Sequence, residues 1–183
     1  MPVFDDEQDE IAFLERNPER GIAIVLPTVI ENHLTSILKA AMRPNTAISN
    51  DLFSPRGAFG NFGTKIRLSY MLELIDDALY KDLIIINKIR NEFAHKIIIK
   101  NFDQPPINAW IKDMHVYSTL IALRNNRSKE PDDRSVHVLR FILRDELESS
   151  RDTFKTCIRV LIHHLTQLEK SVSEVRKSRT SSS

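Results

Sequence analysis

The sequence predicts an all-α fold: a compact helical bundle with a long Gly/Pro loop between its second and third helices. Three observations predict it. Apolar residues recur at three-and-four spacing through most of the chain, the period of a helix with one buried face. Glycine occupies only 4 of 183 positions, too few for serial hairpins, barrels or Gly-rich phosphate loops. A single cysteine, Cys157, excludes an internal disulfide and any cysteine-rich zinc module. The length fits one domain, with residues 11–175 helical, an acidic lead-in at 1–10 and a disordered Ser-rich tail at 176–183.

The lead-in holds five acids and no base in ten residues, which suits the first turn of a short helix through Ile11, Phe13 and Leu14. It lacks the basic region and apolar run of a signal peptide. The apolar runs at 83–86 and 97–99 are too short for a membrane span, so the expectation is a cytoplasmic protein. The next helix carries Ile22, Val25, Leu26, Val29, Ile30, Leu34, Ile37 and Leu38, with Pro27 inside the stripe. A proline there predicts a kink or a late start. Residues 43–63 contain Pro44, Pro55, Gly57, Gly60 and Gly63 and read as the long loop.

A helix over 64–75 is apolar nearly all round, as expected of a central one. Asp76 and Asp77 supply a turn and cap before a helix over 78–96, whose stripe is Leu79, Leu83, Ile86, Ile89 and Phe93. Asp103-Gln104-Pro105-Pro106 breaks the chain and starts a helix through Trp110 and Met114. Residues 125–133 read as a polar loop, and 134–175 as one or two further helices, with 136–143 also rich in strand formers.

Chemistry concentrates in Arg90-Asn91-Glu92-Phe93-Ala94-His95. Asn91 and His95 share a helix face, whereas Arg90 and His95 lie roughly 140° apart around the axis at about 100° per residue. An arginine fork suits phosphate, and a histidine exchanges protons near neutral pH. Together they suit a metal-free attack by a ribose 2′-hydroxyl. Arg and His at a helix end also simply cap carbonyls, or pair with acids such as Glu92. Glu31 borders a buried stripe and either lies exposed on its polar edge or takes Lys65 or Arg90 as partner. Phe59 and Phe62 either plug the bundle or, with Trp110, stack a base. His33, His115, His163 and His164 lack ligand spacing, so neither a metal nor a cofactor is expected.

The arginine–histidine segment resembles the Arg-x4-6-His motif of the HEPN superfamily. Its members are helical bundles, often dimeric, and many are metal-independent ribonucleases. Gly57-Ala58-Phe59-Gly60-Asn61-Phe62-Gly63-Thr64-Lys65-Ile66, followed by the Arg90/His95 helix, resembles the mannitol operon repressor family. The likeness runs over about 22–99. It implies a transcription regulator, expected here as a homodimer; the candidate binding residues are Lys65, Phe59, Phe62, Glu31 and Glu92. Direct operator binding is not expected: the formal net charge is +1, and no short basic helix follows a Gly-containing turn. Regulation through a protein partner fits better. The alternative is a HEPN-type endoribonuclease acting on RNA, with Arg90 holding phosphate, His95 as acid or base, and Asn91 orienting.

Overall fold

The computed structural model describes residues 19–96, 101–125 and 147–180. The acidic lead-in, the helix expected at Ile11 to Leu14, the strand-rich stretch at 136–143 and most of the polar loop fall outside them. Among the described residues there are seven helices and no strand. They are α1 (Glu19–Ala41), α2 (Thr46–Leu52), α3 (Phe62–Met71), α4 (Asp77–His95), α5 (Ile107–Lys112), α6 (His115–Asn125) and α7 (Ser150–Thr180).

The core forms around α1, which packs on α3, α4 and most extensively on α7. Ile22, Ala23, Leu26, Ile30, Leu34 and Ile37 on α1 are buried, as their spacing predicts. The helix runs from Glu19 through buried Pro27, so a late start is excluded. No run in the chain approaches eighteen consecutive apolar residues, yet α1 as a whole is long and apolar enough to cross a membrane by length and composition. Scattered polar residues such as Glu31 hid the total. Here that apolar surface faces other helices.

Helices α1 and α7 run parallel. His33 Nδ1 lies 2.9 Å from Glu169 Oε2, and one turn or more further along both helices Arg176 donates to the Lys39 carbonyl at 3.2 Å. Helix α7 continues to Thr180, so residues 176–180 are helical where the sequence predicts a tail. The Arg176 bond to α1 lies within that stretch.

Two further elements differ from expectation. The predicted 43–63 loop contains α2, started by Asn45, whose Oδ1 accepts from the Ile48 amide at 3.0 Å. This seven-residue helix buries no residue, so it leaves no apolar period to read. The single helix expected through Trp110 and Met114 is two helices, α5 and α6. The restart comes from α4. Buried Asp82 accepts from the His115 amide at 2.6 Å and the Val116 amide at 2.9 Å, capping α6 from a neighbouring helix.

Burial pushes the Asp82 carboxyl above its ordinary 3.8, and the two amide bonds only partly oppose this. A carboxyl with a raised folded-state pKa holds its proton more tightly in the native state. Its contribution is therefore lost as pH rises from about 4 through the folded value. Urea unfolding from pH 3.5 to 7 should show wild type losing stability relative to Asp82→Asn across that window; the opposite trend would contradict the burial account.

Helix α3 ends in a Schellman motif, with Leu74 N–H bonded to the Ser69 carbonyl and Glu73 N–H to that of Tyr70, both at 2.9 Å. The left-handed position is Glu73, at φ 55°, where glycine is the usual occupant. A non-glycine residue there costs about 1–2 kcal/mol. Glu73→Gly should accordingly raise stability by about 1 kcal/mol, read as a higher denaturant midpoint at unchanged m. Helix α3 does not occupy the centre that its apolar sequence suggests. Its end leaves Met71 76% and Leu72 44% exposed.

Opposite that corner an aromatic column joins three segments. The Phe93 and Phe102 ring centroids are 4.8 Å apart, and those of Phe102 and Phe154 are 4.9 Å apart. Cys157, next to this column on α7, is a buried core side chain whose thiol is pushed up to about 12, mainly by burial.

Candidate functional site

The loop before α3 is built around close backbone approach. A Cβ at Gly57 would stand 2.1 Å from the Asp51 carbonyl oxygen, and one at Gly60 would stand 2.3 Å from that of Ser54. Glycine is needed at both positions for space, since neither has a positive φ. The chain then turns into α3 through Asn61, whose Oδ1 caps the Thr64 amide at 3.3 Å. The turn places Phe62 in the core and Lys65 one turn later on the face toward α1.

Three charged side chains from three helices meet there. Lys65 Nζ donates to Glu31 Oε1 at 2.8 Å, and Arg90 Nη1 stands 3.4 Å from Glu31 Oε2. The Lys65 side chain is 7% exposed, that of Glu31 13% and that of Arg90 27%. Of the two alternatives for Glu31, the structure shows the paired one, with both cations as partners. The Arg90 guanidinium carbon also sits 5.7 Å from the centre of the Phe62 ring. One carboxylate thus ties α3 and α4 to α1, and the group keeps one unit of positive charge.

The other candidates lie apart from this seam. Phe59 packs on Phe53, with centroids 5.5 Å apart, while Lys88 Nζ stands 3.7 Å above the Trp110 ring. Phe59, Phe62 and Trp110 therefore have different neighbours and make no common stacking platform. Glu92 pairs with Lys96 at 2.8 Å, one turn along α4. Asn91 and His95 are exposed, and no hydrogen bond or ion pair among the described residues joins either to Arg90. Within one protomer the six-residue motif thus splits: Arg90 belongs to the seam and His95 to the open end of α4. That end is capped by Arg20, which donates to the Phe93 carbonyl at 2.5 Å and the Lys96 carbonyl at 3.1 Å. Sequence reasoning overlooked Arg20 and Asp82, because each acts on a helix end more than 30 residues away. His163 and His164 line clefts near the start of α4, and no group of three potential metal ligands converges among the described residues.

The all-helical bundle formed by the described residues has solved relatives of the same fold. The crystal structure of a possible transcriptional regulator, YggD from Shigella flexneri 2a str. 2457T, is similar, with a TM-score of 0.61 and 13% identity. The match covers 94% of this chain and 99% of that one. The X-ray structure of the MtlR–HPr complex from Escherichia coli is also similar, with a TM-score of 0.54 and 19% identity, over 90% of this chain and 98% of that one. At these identities the likeness establishes the fold. No curated protein sequence matches.

The sequence profile described as mannitol repressor matches residues 20–172, and the chain belongs to the mannitol repressor family. The family match takes in the Gly/Phe loop, the seam and α7 up to residue 172, well beyond the 22–99 over which the sequence resemblance ran.

Proposed function

We propose that this chain is a cytoplasmic, homodimeric transcription regulator that works by holding a protein partner. In this reading it neither reads operator DNA directly nor cleaves RNA. The observation that carries the proposal is membership of the mannitol repressor family over residues 20–172, on a fold shared with a protein solved in complex with HPr. Two physical points support it. A formal charge of +1 gives no general attraction to a polyanion. The arginine a ribonuclease would use is already bound to Glu31 and stacked toward Phe62.

Titration calorimetry with purified HPr tests the partner, and light scattering tests the dimer. Saturable binding by a dimer is the expected result. Absence of HPr binding, together with salt-sensitive and sequence-specific binding to duplex DNA, would overturn it. Total RNA incubated with excess protein in EDTA should stay intact, and cleavage lost in His95→Ala would restore the nuclease reading.

A further inference from the structure

The end of the bundle where α1 and α7 finish together holds a cleft that the partner reading does not use. Its volume is about 760 Å³, within the range of small-molecule sites, and its walls are the end of α1, α2 and α7. Three cations line it: Lys39, Arg43 and Arg176. No acidic residue does, in a chain whose 26 basic and 25 acidic side chains nearly balance. Asp51 of α2 and Glu174 of α7 are exposed and lie outside the lining.

The fold places the two half-buried cations. Arg176 donates to the Lys39 carbonyl at 3.2 Å, which draws it from α7 across the end of α1. Lys39 Nζ stands 5.4 Å from the centre of the Phe53 ring, on the wall that closes α2. Arg43 follows α1 and is exposed. Cations at helix C-termini are ordinary, and Arg176 serves α1 in that way. That role leaves most of the charge unanswered. The two parallel helix ends together present about one unit of negative charge, so about two positive units remain in the cleft. Beside the cations the lining is apolar at Met42, Leu52 and Phe53. Arg176 also lies past residue 172, where the family match ends, so that match does not account for the third cation.

We infer that this cleft binds a small organic phosphate, with its dianionic group among Lys39, Arg43 and Arg176 and its apolar body against Leu52 and Phe53. Two arginine forks and a lysine point charge suit a phosphate dianion. A nucleic acid would instead need cations spread along a face to meet successive phosphates, whereas these three share one concavity. The inference is independent of the partner reading, and either can fail alone.

Titration calorimetry of the full chain with phenyl phosphate, inorganic phosphate and phenol tests it, in a phosphate-free buffer of low ionic strength. Variants are Lys39→Gln, Arg43→Gln and the two combined. Lys81→Gln, at an exposed position of α4 outside the cleft, is the control for an equal change of charge. Circular dichroism checks folding, and exposed Arg43 keeps the test sound if Lys39→Gln misfolds. The expected result is saturable binding of one phenyl phosphate, tighter than inorganic phosphate, with none of phenol. Affinity should fall about threefold in each single variant and at least about tenfold in the double, stay unchanged in Lys81→Gln, and weaken with salt. An equal loss in Lys81→Gln would mean a response to net charge alone and would overturn the site. So would the absence of saturation by about 10 mM phenyl phosphate. Equal affinity for phenyl and inorganic phosphate overturns the organic body. Binding of a short DNA duplex that is lost in the same variants, with none of phenyl phosphate, assigns the cations to nucleic acid and overturns the inference as well.

Discussion

Glu31→Ala lowers the unfolding free energy by about 3–5 kcal/mol, because it leaves the Lys65 ammonium buried without its counter-charge. For a chain of this size that lowers Tm by roughly 6–20 °C, at about 2–4 °C per kcal/mol. The double variant Glu31→Leu/Lys65→Met removes both charges, and it should recover most of the loss, since a buried ion pair replaced by apolar side chains is often neutral or stabilising. Arg90→Ala is milder, about 1 kcal/mol, because that guanidinium is partly exposed and stands 3.4 Å from its partner oxygen. Chemical denaturation of the four proteins gives the ranking. A Glu31→Ala loss below about 1 kcal/mol would mean that the seam holds nothing together and that Arg90 is free for other work.

Phe102→Ala should be comparably damaging, at about 3–5 kcal/mol, for a different reason. Its ring stands between Phe93 of α4 and Phe154 of α7, and it is fully buried. Truncation leaves a cavity in the middle of the column that neither neighbour can fill without moving its helix. Phe102→Leu retains most of the volume and should lose about half as much or less. Urea midpoints at constant m separate this from a change in the unfolded state.

Much of this architecture was legible in the sequence, and the exceptions share a cause. The stripes of α1 and α4 were readable because their buried residues repeat along a single helix. The Glu31 pairing was readable as one of two choices, since an acid beside a buried stripe needs a cation and Lys65 and Arg90 were at hand. What escaped were interactions between distant segments and elements with no buried face. Asp82 divides α5 from α6 although it lies 33 residues before the amide it caps. Helix α2 buries nothing and so leaves no period. The neighbours of Arg90 could not be deduced from its spacing to His95, because spacing on one helix says nothing about what another helix presents. That ambiguity let a catalytic reading of the motif stand beside a structural one.

The parallel pairing of α1 with α7 has a consequence during synthesis. Helix α1, the described helix long and apolar enough to cross a membrane, is made well before its main partner, which starts at Ser150, more than a hundred residues after α1 ends at Ala41. At about 5–20 residues per second, that gap lasts roughly 5–20 s. Throughout it, among the described residues, α3 and α4 are the main intramolecular cover for a helix with membrane-span hydropathy. The face of α1 that α7 covers in the folded chain therefore stays open until α7 is delivered.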